Sequence, residues 1–121
     1  YKAIDHALDL FYLIERLQLT FDSLEEGYKS YTESYFKIDL AYRKFLLEYY
    51  NTNNSPLLAE IAVQVEKFYS NKYLLPLNNK WQQFIDSCSF WKIDDAVHQK
   101  DFYNSYINPF VTKDKKVFVI I

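Results

Sequence analysis

Apolar residues recur along this chain in steps of three and four. From Lys2 to Gln18 they fall at Ala3, Ala7, Leu10, Ile14 and Leu17, and Phe21 continues the series. That period is one face of an α-helix. Ile4, Leu8 and Phe11 widen it into a broad stripe directed at a core. Asp22 and Ser23 interrupt it. Ser23 and Glu26 match the S-x-x-E capping box, in which the serine accepts from a free amide of the first turn and the glutamate reaches back. A second helix is therefore predicted from Ser23. Its stripe runs Leu24, Tyr28, Tyr31, Tyr35, Ile38, Tyr42, Phe45 and Tyr49, alternating four and three as far as Tyr50. The intervening Glu33, Lys37, Asp39, Arg43, Lys44 and Glu48 mark a solvent side. Gly27 lies within the segment, where glycine costs about 1 kcal/mol relative to alanine.

Asn51-Thr52-Asn53-Asn54 ends that helix, and Ser55-Pro56 starts another, with serine at the cap and proline at the first helical position. Leu58, Ile61, Val65 and Phe68 supply its apolar face. Pro76 lacks an amide and crowds the preceding turn, so a break or kink is predicted between Asn71 and Leu75. Leu74, Leu77, Trp81, Phe84 and Cys88 resume the period, with helix to about Asp86. Ser87 to Asp95 reads as a loop with Phe90 and Trp91 turned inward. A last helix is predicted over His98 to Val111, with Phe102, Tyr106 and Phe110 on one face and Pro109 near its end.

Val117-Phe118-Val119-Ile120-Ile121 follows the charged turn Thr112-Lys113-Asp114-Lys115-Lys116. An unbroken β-branched run of this kind reads as a buried strand of a parallel sheet. One strand is not stable alone, and the chain has no methionine, so the sequence points to a piece of a longer protein. The predicted architecture is mostly α, an array of about four or five helices with one short C-terminal β-strand. Residues 1–111 form the helical domain, and residues 112–121 the start of an α/β domain.

Composition narrows the function. One glycine and three prolines argue against an all-β fold, since tight hairpins need positive φ. A formal net charge of −2 gives no basic footprint, so direct nucleic-acid binding is not expected. Lys113, Lys115 and Lys116 read as a solvated turn. A single cysteine, Cys88, forms no internal disulfide, which fits a reducing, cytoplasmic setting, and it reads as a small core residue. No apolar run approaches the roughly twenty residues of a membrane span.

Candidate chemistry is sparse. His98 lies near Asp94, Asp95 and Asp101, but without a second histidine or cysteine at ligand spacing the group reads as cap and loop. No phosphate-binding glycine loop, nucleophile elbow or paired-cysteine zinc pattern occurs. No catalytic, cofactor-binding or metal-ligating residue is assigned. Asp39 and Arg43 form an i,i+4 acid-base pair, read either as a surface ion pair or as a domain interface with Arg43 as its anchor.

Two stretches carry a family likeness. Tyr35-Phe36-Lys37-Ile38-Asp39-Leu40-Ala41-Tyr42-Arg43-Lys44-Phe45 is one. Asp101-Phe102-Tyr103-Asn104-Ser105-Tyr106-Ile107-Asn108-Pro109-Phe110, leading through Lys115-Lys116 into Val117–Ile121, is the other. Together they resemble the PglZ proteins of BREX phage-defence systems, in the helical region directly before their alkaline-phosphatase-like domain. The resemblance implies a parent with a metal-dependent phosphatase or phosphodiesterase-type domain, whose divalent metal is held outside this stretch. It makes the present chain a non-catalytic scaffold or interaction module. The implied partners are that domain and other defence-system proteins. Two other readings stand beside it: a helical cap that lends the domain its specificity, and an unrelated helical-repeat interaction domain. Self-association through Val117, Phe118, Val119, Ile120 and Ile121 is expected from the exposed apolar edge.

Overall fold

The computed structural model describes residues 1–89, 92–94 and 96–120. The chain divides into two compact units, Tyr1–Trp91 and Lys92–Ile121. Among the described residues of the first unit the regular structure is all helical, as the apolar periodicity requires. Helix α1 covers Lys2–Glu15. Helix α2, Leu24–Ser30, passes through a π-helical turn at Tyr31–Tyr35 into α3, Phe36–Asn51. Helix α4, Pro56–Tyr69, passes through a second π turn at Ser70–Leu74 into α5, Leu75–Ser87. Helix α1 packs along α3 and against α4, and α2 meets α5. The core between them holds Ala3, Ala7, Leu10, Ile14, Ile38, Phe45, Leu58 and Val65, together with Tyr35 and Tyr73.

Local chemistry sets the boundaries. The Glu26 amide donates to Ser23 Oγ at 3.2 Å, and the Glu26 carboxylate accepts from the Asp22 amide at 2.8 Å. The capping box thus forms, with its return bond landing one residue before the cap. At the end of α3, Asn53 and Asn54 take φ of 54° and 55°, the left-handed region that asparagine tolerates better than most side chains. Their amides close on the Tyr50 and Tyr49 carbonyls at 2.9 and 3.3 Å. Pro56 then opens α4.

The predicted kink before Pro76 takes the form of a π turn, and the chain stays helical through it. A proline at 76 leaves the Lys72 carbonyl without its usual donor four residues on, and a wider turn accommodates that loss. Pro109 repeats the device in the second unit. There, the single helix predicted over residues 98–111 is replaced by a 3₁₀ turn at Gln99–Asp101, a π turn at Tyr103–Ile107 and the short helix α6, Asn108–Val111. Both prolines stand two residues after a π turn.

Two further expectations are corrected. The C-terminal strand does not form: among the described residues there is no strand, and 115–120 run without regular structure. A lone segment has no neighbour to accept its ladder of hydrogen bonds, so an apolar β-branched sequence by itself does not make a strand. Ile121 lies outside the described residues, as do Phe90 and Trp91, whose inward placement was expected. Cys88 is exposed rather than in the core, because α5 ends at Ser87 and the cysteine leaves the helix in an extended conformation.

Gly27 has a stronger role than tolerance. A Cβ built on it would stand 2.7 Å from the Phe21 ring and 2.9 Å from Trp81. The glycine lets both rings close over the helix backbone. Gly27→Ala is therefore expected to destabilise by up to about 2 kcal/mol: overpacking costs about 1–3 kcal/mol and helix propensity returns only about 1. Urea melts of the two proteins check this. A stabilised alanine variant would show that the rings move aside freely.

Candidate interface around Asp39 and Arg43

Asp39 does not pair with Arg43. Its carboxylate accepts three tyrosine hydroxyls from three places in the first unit. Tyr31 donates to Oδ2 at 2.7 Å, Tyr69 to Oδ1 at 2.6 Å and Tyr73 to Oδ2 at 3.1 Å. The Tyr73 hydroxyl also lies 3.3 Å from the Tyr35 carbonyl oxygen. Arg43 is exposed and forms no salt bridge among the described residues. The i,i+4 ion pair is replaced because three neutral donors reach the carboxylate from the packed side of the helix, whereas the arginine projects toward water.

The first π turn makes this geometry possible. Along a straight α-helix, residues eight apart such as Tyr31 and Asp39 stand about 80° apart around the axis. A π turn takes up roughly one extra residue per turn and brings them onto one face. The same shift rotates the start of the tyrosine stripe away from the core. Tyr28 and Tyr31 are therefore exposed, while Tyr35, Ile38 and Phe45 are buried.

A second carboxylate extends the cluster. The Tyr42 hydroxyl donates to the Glu66 carboxylate, and the Ser70 hydroxyl approaches the same group at 3.5 Å. The Tyr42 and Tyr69 rings stack at 3.9 Å with planes 1° apart. Helices α3 and α4 are thus joined by ring stacking and by phenol-carboxylate bonds at once. Nearby, Tyr35 donates to the Gln18 carbonyl at 2.9 Å and Lys80 to the Leu19 carbonyl at 2.7 Å. These bonds pin the segment that joins α1 to α2.

The phenols are correspondingly hard to ionise. Burial, then the bond to Glu66, pushes Tyr42 up to about 12. Burial and Asp39 push Tyr69 and Tyr73 upward, and the Asp39 bond raises Tyr31. A phenol whose folded value lies above the ordinary 10 stabilises the fold fully below pH 10, and for Tyr42 that contribution is lost as pH rises from 10 through about 12. An alkaline titration is expected to show late phenolate absorbance coinciding with loss of helical circular dichroism. Complete tyrosine ionisation ahead of any helix loss would show that the network does not persist in solution.

The other candidate residues remain apart. His98, Asp94 and Asp101 are exposed, and Asp94 pairs with Lys92 at 2.9 Å. Asp95 lies outside the described residues. Among the described residues no group of three or more His, Cys, Asp or Glu side chains is placed to hold a metal ion. No helix among them is long and apolar enough to cross a membrane. Two contributors had no signal in the heptad pattern. Tyr69 and Tyr73 lie four apart where α4 enters its π turn, and only the shared distance to Asp39 reveals their role.

Fold and cluster together define a helical module tied across its helices by tyrosine–carboxylate bonds. The alkaline phosphatase-like protein PglZ of Bacillus cereus (strain H3081.97) is 32% identical over 125 residues, covering 100% of this chain and 15% of that protein. The alkaline phosphatase-like protein BrxZ of Escherichia coli O9:H4 (strain HS) is 32% identical over 102 residues, covering 78% of this chain and 12% of its own length. The chain belongs to the PglZ family of BREX-associated, alkaline-phosphatase-like proteins. It spans less than a fifth of either relative. No family model and no solved structure matches it.

Proposed function

We propose that this chain is a non-catalytic helical scaffold within a PglZ-like phage-defence protein, and that it engages a metal-dependent, phosphatase-type domain through the face bearing Arg43. One observation carries the reading. Asp39 is engaged by three tyrosines, so the neighbouring guanidinium is left exposed and free of an internal salt bridge among the described residues. Arginine is favoured at interfaces because its planar donors meet a carboxylate in pairs. On this reading the divalent metal and its ligands belong to the phosphatase-type domain. The relatives' alignment along 100% and 78% of the chain argues against an unrelated helical repeat.

The purified chain is expected to hydrolyse no generic phosphomonoester, with or without added divalent metal. It is expected to bind the separately expressed phosphatase-type domain, about tenfold more weakly with Arg43→Glu, a loss of about 1.4 kcal/mol. Turnover that survives rigorous purification would refute the scaffold role. Undiminished binding of the variant would remove Arg43 from the interface.

A further inference from the structure

The unit Lys92–Ile121 carries an apolar surface that its own residues do not cover. Phe102, Tyr103, Tyr106, Phe110 and Val111 are each between 43% and 53% exposed. Beyond the turn at Asp114, where φ is 57°, Phe118 and Ile120 are 85% and 96% exposed, and Val119 is 56%. Among the described residues of this unit, Ile93 is the one buried large apolar side chain. A unit below about 40 residues does not bury enough surface to hold itself without a disulfide, a metal or a partner. The chain's single cysteine lies outside the unit, and among the described residues no metal-ligand group is present. Apolar surface this dense marks an interaction site rather than an ordinary solvent face.

Charge defines the rim. The Lys113 and Lys115 amides both close on the Phe110 carbonyl at 3.1 Å, so the turn folds back beside the aromatic helix. Lys115 Nζ stands 6.0 Å from the centre of the Phe110 ring. Lys113, Lys115 and Lys116 are exposed and form no salt bridge among the described residues. A surface complementary to this one would be an apolar patch edged by carboxylates.

We infer that the surface formed by Phe102, Tyr106, Phe110 and Val117–Ile120, with its lysine rim, docks onto the phosphatase-type domain of the same polypeptide. This rests on the scaffold reading above, whose relatives are several times longer than this chain.

The test uses the full-length protein. Hydrogen exchange is expected to show amides in 102–120 slowed at least about 100-fold against unstructured reference rates. The double variant Phe102→Ser/Tyr106→Ser is expected to lose at least tenfold of that protection in 102–111, while 36–51 stays protected. Zero-length carbodiimide coupling is expected to join Lys113, Lys115 or Lys116 to carboxylates of the phosphatase-type domain. Exchange at unstructured rates in the wild-type protein would overturn the inference. So would protection that disappears on dilution, which would mean that a second copy covers the surface. Protection with coupling only to some other segment would overturn the assigned partner. Each result is independent of hydrolytic activity, so failure of the docking surface and failure of the scaffold reading are told apart.

Discussion

Replacing Phe45 with alanine is expected to lower the unfolding free energy by about 3–5 kcal/mol, the range of buried phenylalanine truncations. Phe45 is fully buried in α3 and belongs to the core that α1, α3 and α4 share. Its ring lies parallel to Tyr49, with centroids 6.0 Å apart. The loss has two parts. Transfer of the ring out of water no longer contributes, and the space left behind lies within a core that Leu10 and Leu58 share, on helices already fixed by their neighbours. Collapse into that space would pull α1 away from its register along α3. Lys44, one residue earlier, is exposed, and its alanine variant is expected to change stability by no more than about 0.5 kcal/mol. Chemical denaturation of both variants gives the comparison. A Phe45→Ala loss below about 1 kcal/mol would mean that the face is not packed in solution.

Phe45 also shows what the sequence discloses. Its place in the core follows from the three-and-four spacing, as do those of Ile38, Leu10, Leu58 and Val65, because those residues lie on segments of uninterrupted α-helix. The period fails where the helix changes pitch. Tyr28 lies before a π turn and Tyr31 opens it, so counting in α-helical steps places them on the wrong side. Tyr73 is the reverse case. It lies within the predicted kink before Pro76, yet it is among the largest fully buried side chains. A π turn keeps it helical and directs its ring inward, and nothing in local spacing announces that. The C-terminal run fails for another reason. Its composition reports a liking for extended backbone, whereas a strand is a pairing, and pairing is not a property of one segment.

The Asp39 cluster was visible only as an acid-base pair, and its energetics differ from what that pair suggests. Asp39→Ala is expected to cost about 2–4 kcal/mol, because single hydrogen bonds to a charged acceptor contribute about 1.5–3 kcal/mol and three are lost together. The sum is discounted for two reasons. Tyr31 is exposed, so its freed hydroxyl rehydrates, and Tyr73 retains the Tyr35 carbonyl at 3.3 Å. The penalty therefore falls mainly on Tyr69, whose hydroxyl has Asp39 as its acceptor while its ring is held against Tyr42. Asp39→Asn keeps one carboxamide oxygen and is expected to cost less, about 1–2 kcal/mol. Arg43→Ala is expected to stay within about 0.5 kcal/mol, since the side chain is exposed and makes no internal salt bridge among the described residues. The contrast separates a residue that holds the helices together from one left available for a partner. Thermal and urea unfolding of the three variants measure it. Equal losses for Asp39→Ala and Arg43→Ala would restore the surface ion pair and remove the reason to place Arg43 at an interface.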